Sequence, residues 1–276
     1  MQVPNILTIA GSDSGGGAGI QADLKTIMAM GCYGMSAITA LTAQNGLGVQ
    51  GILASSGAFM TLQLETLFAG FTVHAAKCGM LFNAEIINAV ADALQGKTFP
   101  LVVDPVSVSQ SGSRLLSEEA ITPLVERMLP LADVLTPNIP EAEMLSNLAI
   151  RSEDALLEAG TRILALCGSQ TCVLIKGGHV ESSAETVTDV LFRQGEDPVY
   201  LSQPRVHTIN NHGTGCTLSA AIASGLGKGE DILEAVRHAQ LFLSRALQES
   251  YAPGKGSGPV NHAAGLLARD RSCVCA

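Results

Sequence analysis

The sequence predicts an α/β fold in which a mostly parallel central sheet carries helices on both faces. Apolar runs of strand length alternate with helical patterns along almost the whole chain, which is typical of strand–helix–strand units. The strand segments are apolar throughout, as expected for strands buried on both faces. Hydrophobic residues make up 47% of the 276 residues and charged residues 15%, so the chain can bury a large core.

Seven apolar segments are predicted to form the main strands of this sheet. They are residues 6–10, 35–43, 49–53, 73–78, 101–104, 134–136 and 172–176. Two later segments, 186–192 and 199–201, are predicted as strands of an antiparallel edge.

Helical periodicity occupies the segments between these strands. The predicted helices are residues 20–30, 59–68, 84–94, 118–128, 155–166, 217–226 and 232–249. No internal repeat or low-complexity linker interrupts the pattern. We therefore expect one domain over residues 1–276, with residues from about 263 to 276 as a tail.

Charge and cysteine content narrow the classes of function. The net charge is −9, which argues against nucleic acid or an anionic membrane surface as a partner. The N-terminus lacks the basic region of a secretory signal, and no apolar run reaches transmembrane length. The seven cysteines form no C-x-x-C pair. These features favour a cytoplasmic protein without a disulfide framework.

A glycine turn at residues 210–222 is the strongest indication of chemistry. Gly213 and Gly215 bracket Thr214, and a run of small helical residues starts at once. The first N–H groups of a helix lack internal partners and face the positive end of its dipole, so such a turn can hold an anion. Cys216 lies in the same turn, where a thiolate would be stabilised. An ordinary glycine turn with a buried cysteine is the alternative.

A second glycine-rich segment, residues 11–19, follows the first strand and opens a helix. It is not a Walker A loop, because no Gly-Lys-Ser/Thr follows, and the acidic residue of a dinucleotide fingerprint is missing. We interpret it as a place where a ligand approaches the backbone closely. Asp23 lies at the edge of the apolar face of the next helix. Its carboxylate is expected to bind an amine-bearing ligand or to pair with a nearby backbone group.

Polar side chains follow several predicted strands at the carboxyl edge of the sheet, where ligands bind in such folds. Asp104 and Glu141 offer oxygen ligands that suit magnesium. Asn138 and Glu141 also have the spacing of a helix capping box, which is the alternative for Glu141. Lys176 could reach a nucleotide phosphate or extend its ammonium group to water.

Several of these segments together resemble one family. They are residues 9–23 (IAGSDSGGGAGIQAD), 39–45 (TALTAQN), 78–80 (CGM), 103–106 (VDPV), 136–143 (TPNIPEAE), 175–179 (IKGGH) and 212–217 (HGTGCT). The chain resembles the hydroxymethylpyrimidine/phosphomethylpyrimidine kinases of thiamine biosynthesis, in the ribokinase-like superfamily, from about residue 5 to residue 262. The resemblance implies a three-layer αβα fold and a homodimer.

The resemblance also implies an activity. ATP would phosphorylate the hydroxymethyl group of 4-amino-5-hydroxymethyl-2-methylpyrimidine and then the resulting monophosphate, with Mg²⁺ as cofactor. Pyridoxal or pyridoxine kinase of the same superfamily is the closest alternative, and a non-catalytic ligand-binding relative is another. The intact glycine turn and Lys176 argue against a non-catalytic protein.

Residue roles carry over by motif. Transfer would involve the anion hole of Gly213, Thr214, Gly215 and Cys216, the ATP phosphate contact Lys176, and the magnesium and phosphate ligands Asp104, Asn138 and Glu141. The aminopyrimidine would be bound by Gly11, Asp23, Gln44 and Met80. Cys216 stands where many superfamily members carry an aspartate base, so the helix end would have to lower its pKa.

One loop departs from the family pattern. After Asp104 and Pro105 the family usually reads Val-Met-Val-Ala-Lys-Ser-Gly, whereas Ser107 and Gln110 here replace the methionine and the lysine. The departure puts in doubt any charge contact from this loop to phosphate and could affect the balance between the two phosphorylation steps.

Overall fold

The computed structural model describes residues 3–108, 112, 115–177 and 185–264. Its strands are β1 (Asn5–Asp13), β2 (Tyr33–Asn45), β3 (Gly48–Ala54), β4 (Ala75–Cys78), β5 (Leu101–Val103), β6 (Val134–Leu135), β7 (Cys172–Ile175), β8 (Thr186–Phe192) and β9 (Val199–Pro204). Its helices are α1 (Gly19–Ala29), α2 (Gly57–Gly70), α3 (Ala84–Ala93), α4 (Ile121–Pro123), α5 (Ile139–Ser146), α6 (Glu153–Leu164), α7 (Thr214–Gly227) and α8 (Ile232–Gln248).

The strands form one sheet in the order β3-β2-β1-β4-β5-β6-β7-β8-β9. Pairing is parallel from β2 through β7. Strands β8 and β9 add an antiparallel edge, as the sequence predicts. At the opposite edge β3 also pairs antiparallel with β2, because only residues 46–47 connect the two strands and a parallel crossover needs a much longer connection.

Helices cover both faces of the sheet and produce two separate cores. One core packs α2, α3, α5 and α6 against the sheet, with Leu64, Ile87 and Ile163 fully buried. The other core packs α1, α7 and α8 against the opposite face, with Ile27 and Ile222 fully buried. The predicted three-layer arrangement is therefore confirmed.

Two helical segments differ from the sequence prediction. Residues 118–128, predicted as one helix, form a 3-10 turn, the single turn α4 and a π-helical turn. Pro123 lies inside this segment, and a proline removes a backbone donor from a helix interior. Helix α5 was not among the predicted helices, although its capping box was, because it has only eight residues and ends at Asn147 with φ +52°.

Within the described residues, no helix is both long and apolar enough to cross a membrane. The described cysteines, Cys32, Cys78, Cys167, Cys172 and Cys216, are all free thiols.

Candidate active site

One cavity, of about 440 Å³, opens at the carboxyl edge of the sheet. The structure brings all but one of the predicted site residues to its wall. These are Gly11, Gln44, Met80, Asp104, Asn138, Glu141, Lys176, Gly213, Thr214, Gly215 and Cys216. They come from seven separate segments: six are at or after strands of the sheet, and the seventh is the glycine turn at the start of α7.

The glycine turn forms one wall of the cavity. Gly213 has φ +81°, and a β-carbon at this position would lie 1.9 Å from the carbonyl oxygen of Gly17. Only glycine fits there. Helix α7 starts at the next residue, and no described side chain caps its N-terminus. The Thr214 N–H donates to the Asn211 carbonyl oxygen at 3.4 Å, whereas the N–H groups of Gly215 and Cys216 have no acceptor among the described residues and can bind an anion in the cavity.

Lys176 and Asp104 face this turn from the sheet. The Lys176 Nζ donates to Asp104 Oδ1 at 2.9 Å, and the Thr136 hydroxyl donates to the same oxygen at 3.1 Å. Burial alone would lower the pKa of Lys176, but the charges of Asp104 and Glu141 outweigh it and raise the pKa. Lys176 is thus a cation at neutral pH. A β-carbon at Gly215 would lie 3.4 Å from both Lys176 Nζ and Asp104 Oδ2, so the pair borders the first turn of α7.

Glu141 forms the capping box that the sequence offered as one alternative, and it also lies in the cavity wall. Its backbone N–H donates to Asn138 Oδ1 at 2.9 Å, and its Oε2 accepts from the Asn138 N–H at 2.9 Å, so the capping box is formed. The same carboxylate lines the cavity, and its Oε1 accepts from the Ser107 N–H at 3.4 Å. Burial, reinforced by the charge of Asp104, raises the pKa of Glu141 to about 7 despite Lys176.

The acidic groups here fit magnesium in part. Asp104 Oδ2 accepts no hydrogen bond from the described residues, and Glu141 is a buried carboxylate without a directly bonded cation. Magnesium usually takes one or two carboxylates, water and substrate phosphates. No group of three or more His, Cys, Asp and Glu side chains with metal-binding geometry exists among the described residues. Asp104 and Glu141 could supply only part of the oxygen ligands that magnesium needs.

Gln44 lies on the opposite side of the cavity. Its Oε1 accepts from the Thr42 hydroxyl at 3.2 Å, and its Nε2 lies 3.4 Å from His212 Nε2. His212 Nε2 also lies 2.9 Å from Asp13 Oδ2. A carboxylate can only accept, so that ring nitrogen carries a proton and cannot also accept from Gln44. The amide donors of Gln44 are therefore available to a ligand.

Asp13 and His212 are site residues to which the sequence analysis gave no role. Asp13 accepts from the N–H groups of Gly15, Gly17 and Ala18 at 2.8–3.0 Å and so organises the glycine-rich loop. Burial alone would raise the pKa of Asp13, but the bonds from His212 and the loop amides lower it. An aspartate inside a glycine run is the signal that could have identified this role.

Asp23 is the exception among the predicted site residues. It is fully buried and does not line the cavity. Both of its carboxylate oxygens accept from Lys77 Nζ, at 3.0 and 2.9 Å, and Oδ2 also accepts from the Thr8 hydroxyl at 2.6 Å. The carboxylate has the partner that burial demands, but it is an ammonium group of β4 rather than a ligand or a backbone group. The expected contact between Asp23 and the pyrimidine is therefore wrong for this structure.

The expectation that the helix end lowers the pKa of Cys216 is also wrong. Burial raises the pKa of this thiol to about 11, and the charges of Asp23 and Asp104 act in the same direction. The positive charge of Lys77 opposes this increase in the pKa without cancelling it. The thiol is thus protonated at neutral pH.

In the loop that departs from the family pattern, Ser107 borders the cavity and contacts Glu141 through its backbone. Gln110 lies outside the described residues, as do Gly178 and His179 of the segment that follows Lys176.

Known proteins are similar to this chain in both sequence and fold. The phosphomethylpyrimidine kinase family matches residues 13–261. A hydroxymethylpyrimidine/phosphomethylpyrimidine kinase of Haemophilus influenzae is 47% identical over 94% of this chain and 97% of its own length. The chain belongs to the phosphomethylpyrimidine kinase family, as its motifs indicated.

Two solved structures have a similar fold. A phosphomethylpyrimidine kinase of Clostridium difficile is 40% identical, has a TM-score of 0.76 and covers 88% of this chain and 99% of its own. An ADP complex of Bacillus subtilis pyridoxal kinase is 36% identical, has a TM-score of 0.86 and covers 96% of this chain and all of its own, so the fold is that of a family of kinases.

Proposed function

We propose that this protein uses ATP to phosphorylate 4-amino-5-hydroxymethyl-2-methylpyrimidine and then its monophosphate, for thiamine biosynthesis. The observation that carries the proposal is the convergence of three features on one cavity: the glycine turn at the start of α7, the Lys176–Asp104 pair and the Gln44 amide. This reaction needs an anion hole, a cation that binds phosphate and an amide that forms hydrogen bonds with the edge of the ring.

The pyrimidine would lie between Gly11, Met80 and Gln44. The backbone at Gly11 leaves little room, because a β-carbon there would lie 3.0 Å from the sulphur of Met80. A flat ring fits beside such a surface. The Gln44 amide offers a donor and an acceptor to the edge of an aminopyrimidine, whose exocyclic amine and ring nitrogen offer the complementary groups.

Phosphoryl transfer would take place at the start of α7. The Cys216 sulphur, as thiolate, takes the proton of the substrate hydroxyl. At the same time the hydroxyl oxygen forms a bond to the γ-phosphorus of ATP. The bond from that phosphorus to the β,γ-bridging oxygen breaks, and its electron pair leaves with ADP. The N–H groups of Gly213, Thr214, Gly215 and Cys216 hold the transferred group, and Lys176 neutralises its charge. The Cys216 proton then returns to water.

Asp104 and Glu141 would hold the magnesium ion, and Asn138 would hold the phosphates beside it. When bound, magnesium supplies positive charge to the phosphate oxygens. Asp104 Oδ1 keeps Lys176 in place through their 2.9 Å bond, and its second oxygen is left for the cation. The capping box fixes Glu141, so that its carboxylate stays in the cavity wall.

Pyridoxal phosphorylation is the second candidate, because the chain superimposes well on a pyridoxal kinase. The proposal ranks it below the pyrimidine reaction, because a pyridoxal ring lacks the exocyclic amine that the Gln44 amide would bind. A homodimer and a cytoplasmic location are also proposed, on the family resemblance. Light scattering after size-exclusion chromatography tests the dimer.

Product analysis tests the function. The full-length protein is incubated with Mg-ATP and a panel of pyrimidine and pyridine alcohols, and the products are identified by mass spectrometry. We expect the hydroxymethylpyrimidine to gain one phosphoryl group and then a second. A product from pyridoxal alone would support the second candidate, and no product from any alcohol would indicate a non-catalytic relative.

A further inference from the structure

Lys77 is a buried cation at the reaction site to which the proposed mechanism gives no role. It belongs to β4, in the centre of the sheet, and its side chain is closed off from water. The residue nevertheless borders the cavity. A β-carbon at Gly79 would lie 2.6 Å from Lys77 Nζ, so the ammonium group packs against the backbone that leads to Met80. Its position is thus fixed by the sheet.

The ammonium group has one identified partner. Among the described residues only Asp23 accepts from Lys77 Nζ, which uses two of its three hydrogens. The Thr8 hydroxyl holds the carboxylate from the other side. Because both side chains are fully buried, the charges are screened very little by solvent. The field of this pair therefore reaches the neighbouring cavity.

Cys216 lies within that field. Cys216 lies in the first turn of α7, which packs against α1 and β4, the elements that carry Asp23 and Lys77. Cys216 and Lys77 both line the cavity. Helix α1 packs against both β1 and α7. The thiol and the ammonium group therefore border the same cavity, and the Asp23 carboxylate is bonded to the ammonium group.

We propose that Lys77 is the cation that stabilises negative charge on the Cys216 sulphur, and that Asp23 and Thr8 hold it in position. The proposal rests on the proposed function, in which that sulphur takes the proton of the substrate hydroxyl. Lys77 acts through Cys216 and is a positioning residue. The charged groups that interact electrostatically with the sulphur are Lys77 from β4, Asp23 from α1, Asp104 after β5 and Lys176 after β7.

The cluster explains how a buried thiol can still be used as a base. Burial, Asp23 and Asp104 raise the pKa of Cys216, and Lys77 gives the largest opposing contribution. Attraction to Asp23 and Cys216 in turn raises the pKa of Lys77, against the effect of its burial. Lys77 is therefore always charged when the thiol loses its proton. Without it, the thiolate would be rarer still.

The test measures the thiolate directly, without substrate. The rate of Cys216 alkylation by iodoacetamide is followed at about pH 8.5 by peptide mass spectrometry, which separates this thiol from the others. At a fixed pH the rate follows the thiolate fraction. We expect Lys77→Met to react at least about tenfold more slowly than the wild type, since one pKa unit corresponds to a factor of ten. Asp23→Asn should react faster, because a negative charge is lost.

The two variants are expected to change the alkylation rate in opposite directions, which distinguishes an electrostatic role of Lys77 from a structural one. A loosened fold would expose the thiol and speed up its reaction in both variants, because a free thiol ionises near a pKa of about 8.5. Lys97→Met is the control, since Lys97 pairs with Asp133 away from the cavity. It should alkylate at the wild-type rate.

If Lys77→Met does not fold, the double variant Lys77→Met with Asp23→Asn replaces it and leaves no buried charge unpaired. It should also react more slowly than the wild type, because the effect of Lys77 on Cys216 exceeds that of Asp23. Unchanged or faster alkylation of the folded Lys77 variant overturns the proposal. Product analysis is independent of this assay, so a failed substrate assignment and a failed role for Lys77 can be told apart.

Discussion

Two lysine–aspartate pairs each place the lysine at the same cavity, and the pairs differ in what they can still bind. The Lys77 and Asp23 side chains are both fully buried, and both oxygens of Asp23 are used by Lys77. The Lys176 side chain is 16% exposed, and Asp104 keeps one oxygen without a hydrogen bond from the described residues. The first pair can supply only a fixed field. The second can exchange its contacts for a phosphate and a cation.

The largest effect is expected when the pair of Lys176 and Asp104 is broken. Lys176→Met should lower kcat/KM for the pyrimidine by about 10²–10³-fold, the usual loss when one group that stabilises transition-state charge is removed. The Michaelis constant for ATP should rise as well, because the lysine contacts the phosphates. Steady-state kinetics with ATP varied at saturating pyrimidine measure both.

Lys97→Met is the matched control for this loss. Lys97 also forms an ion pair with an aspartate, and its side chain is 14% exposed, close to the value for Lys176. The substitution should change stability without changing kcat/KM. A Lys176→Met enzyme with wild-type ATP kinetics would show that this lysine only pairs with Asp104 and does not contact the phosphates.

Cys216→Ala should lower kcat by at least about 10²-fold, the usual scale for a general base. Binding of the pyrimidine, measured by calorimetry, should weaken much less, because the N–H groups of the turn remain. The variant also sharpens the comparison between the two pairs. Adding Lys77→Met to it should cost little further activity, whereas adding Lys176→Met should cost nearly its full effect. Near wild-type kcat in Cys216→Ala would identify this thiol as a packing residue.

A smaller effect is expected in the pH dependence of magnesium binding, through Glu141, which lines the cavity with Lys176 and Asp104. The pKa of Glu141 is raised to about 7, so this carboxyl gains a proton as the pH falls through 7. A neutral carboxyl is a poor magnesium ligand. The Mg²⁺ concentration needed for half-maximal rate should therefore rise by up to about tenfold per pH unit below that value. Titrations at pH 5.5–8 measure this rise. In Glu141→Gln the dependence should flatten, and an unchanged slope would exclude Glu141 as the titrating ligand.

The two lysines also show what sequence can and cannot predict. Lys176 ends an apolar strand and is followed by Gly177, so its place at the ligand-binding edge follows from local pattern. Lys77 is the penultimate residue of the predicted strand 73–78, but its partner Asp23 lies 54 residues away, and no periodicity connects them. The sequence therefore left Asp23 open between a ligand and a backbone partner.

The same limit applies to Cys216. A helix start predicts a lowered pKa, and the structure shows a raised one, because burial and the charges of Asp23 and Asp104 outweigh the local effect. The capping box of Glu141, in contrast, depends on residues three apart; the sequence offered it as one of two alternatives, and the structure forms it. Strand alternation predicted the sheet and both helical layers. The irregular segment at residues 118–128 depends on how it packs and was not predicted.

The central claim is that this cavity selects an aminopyrimidine alcohol, and the ratio of kcat/KM for hydroxymethylpyrimidine to that for pyridoxal tests it most directly. A buried polar group left unpaired costs about 1–3 kcal/mol, so pyridoxal should be disfavoured by roughly one to two decades. Gln44→Leu should narrow the ratio by hurting the pyrimidine more, since Gln44 offers the ring its free amide donors. We predict a wild-type ratio of at least about ten. A ratio of one or below would contradict the claim and assign the site to pyridoxal.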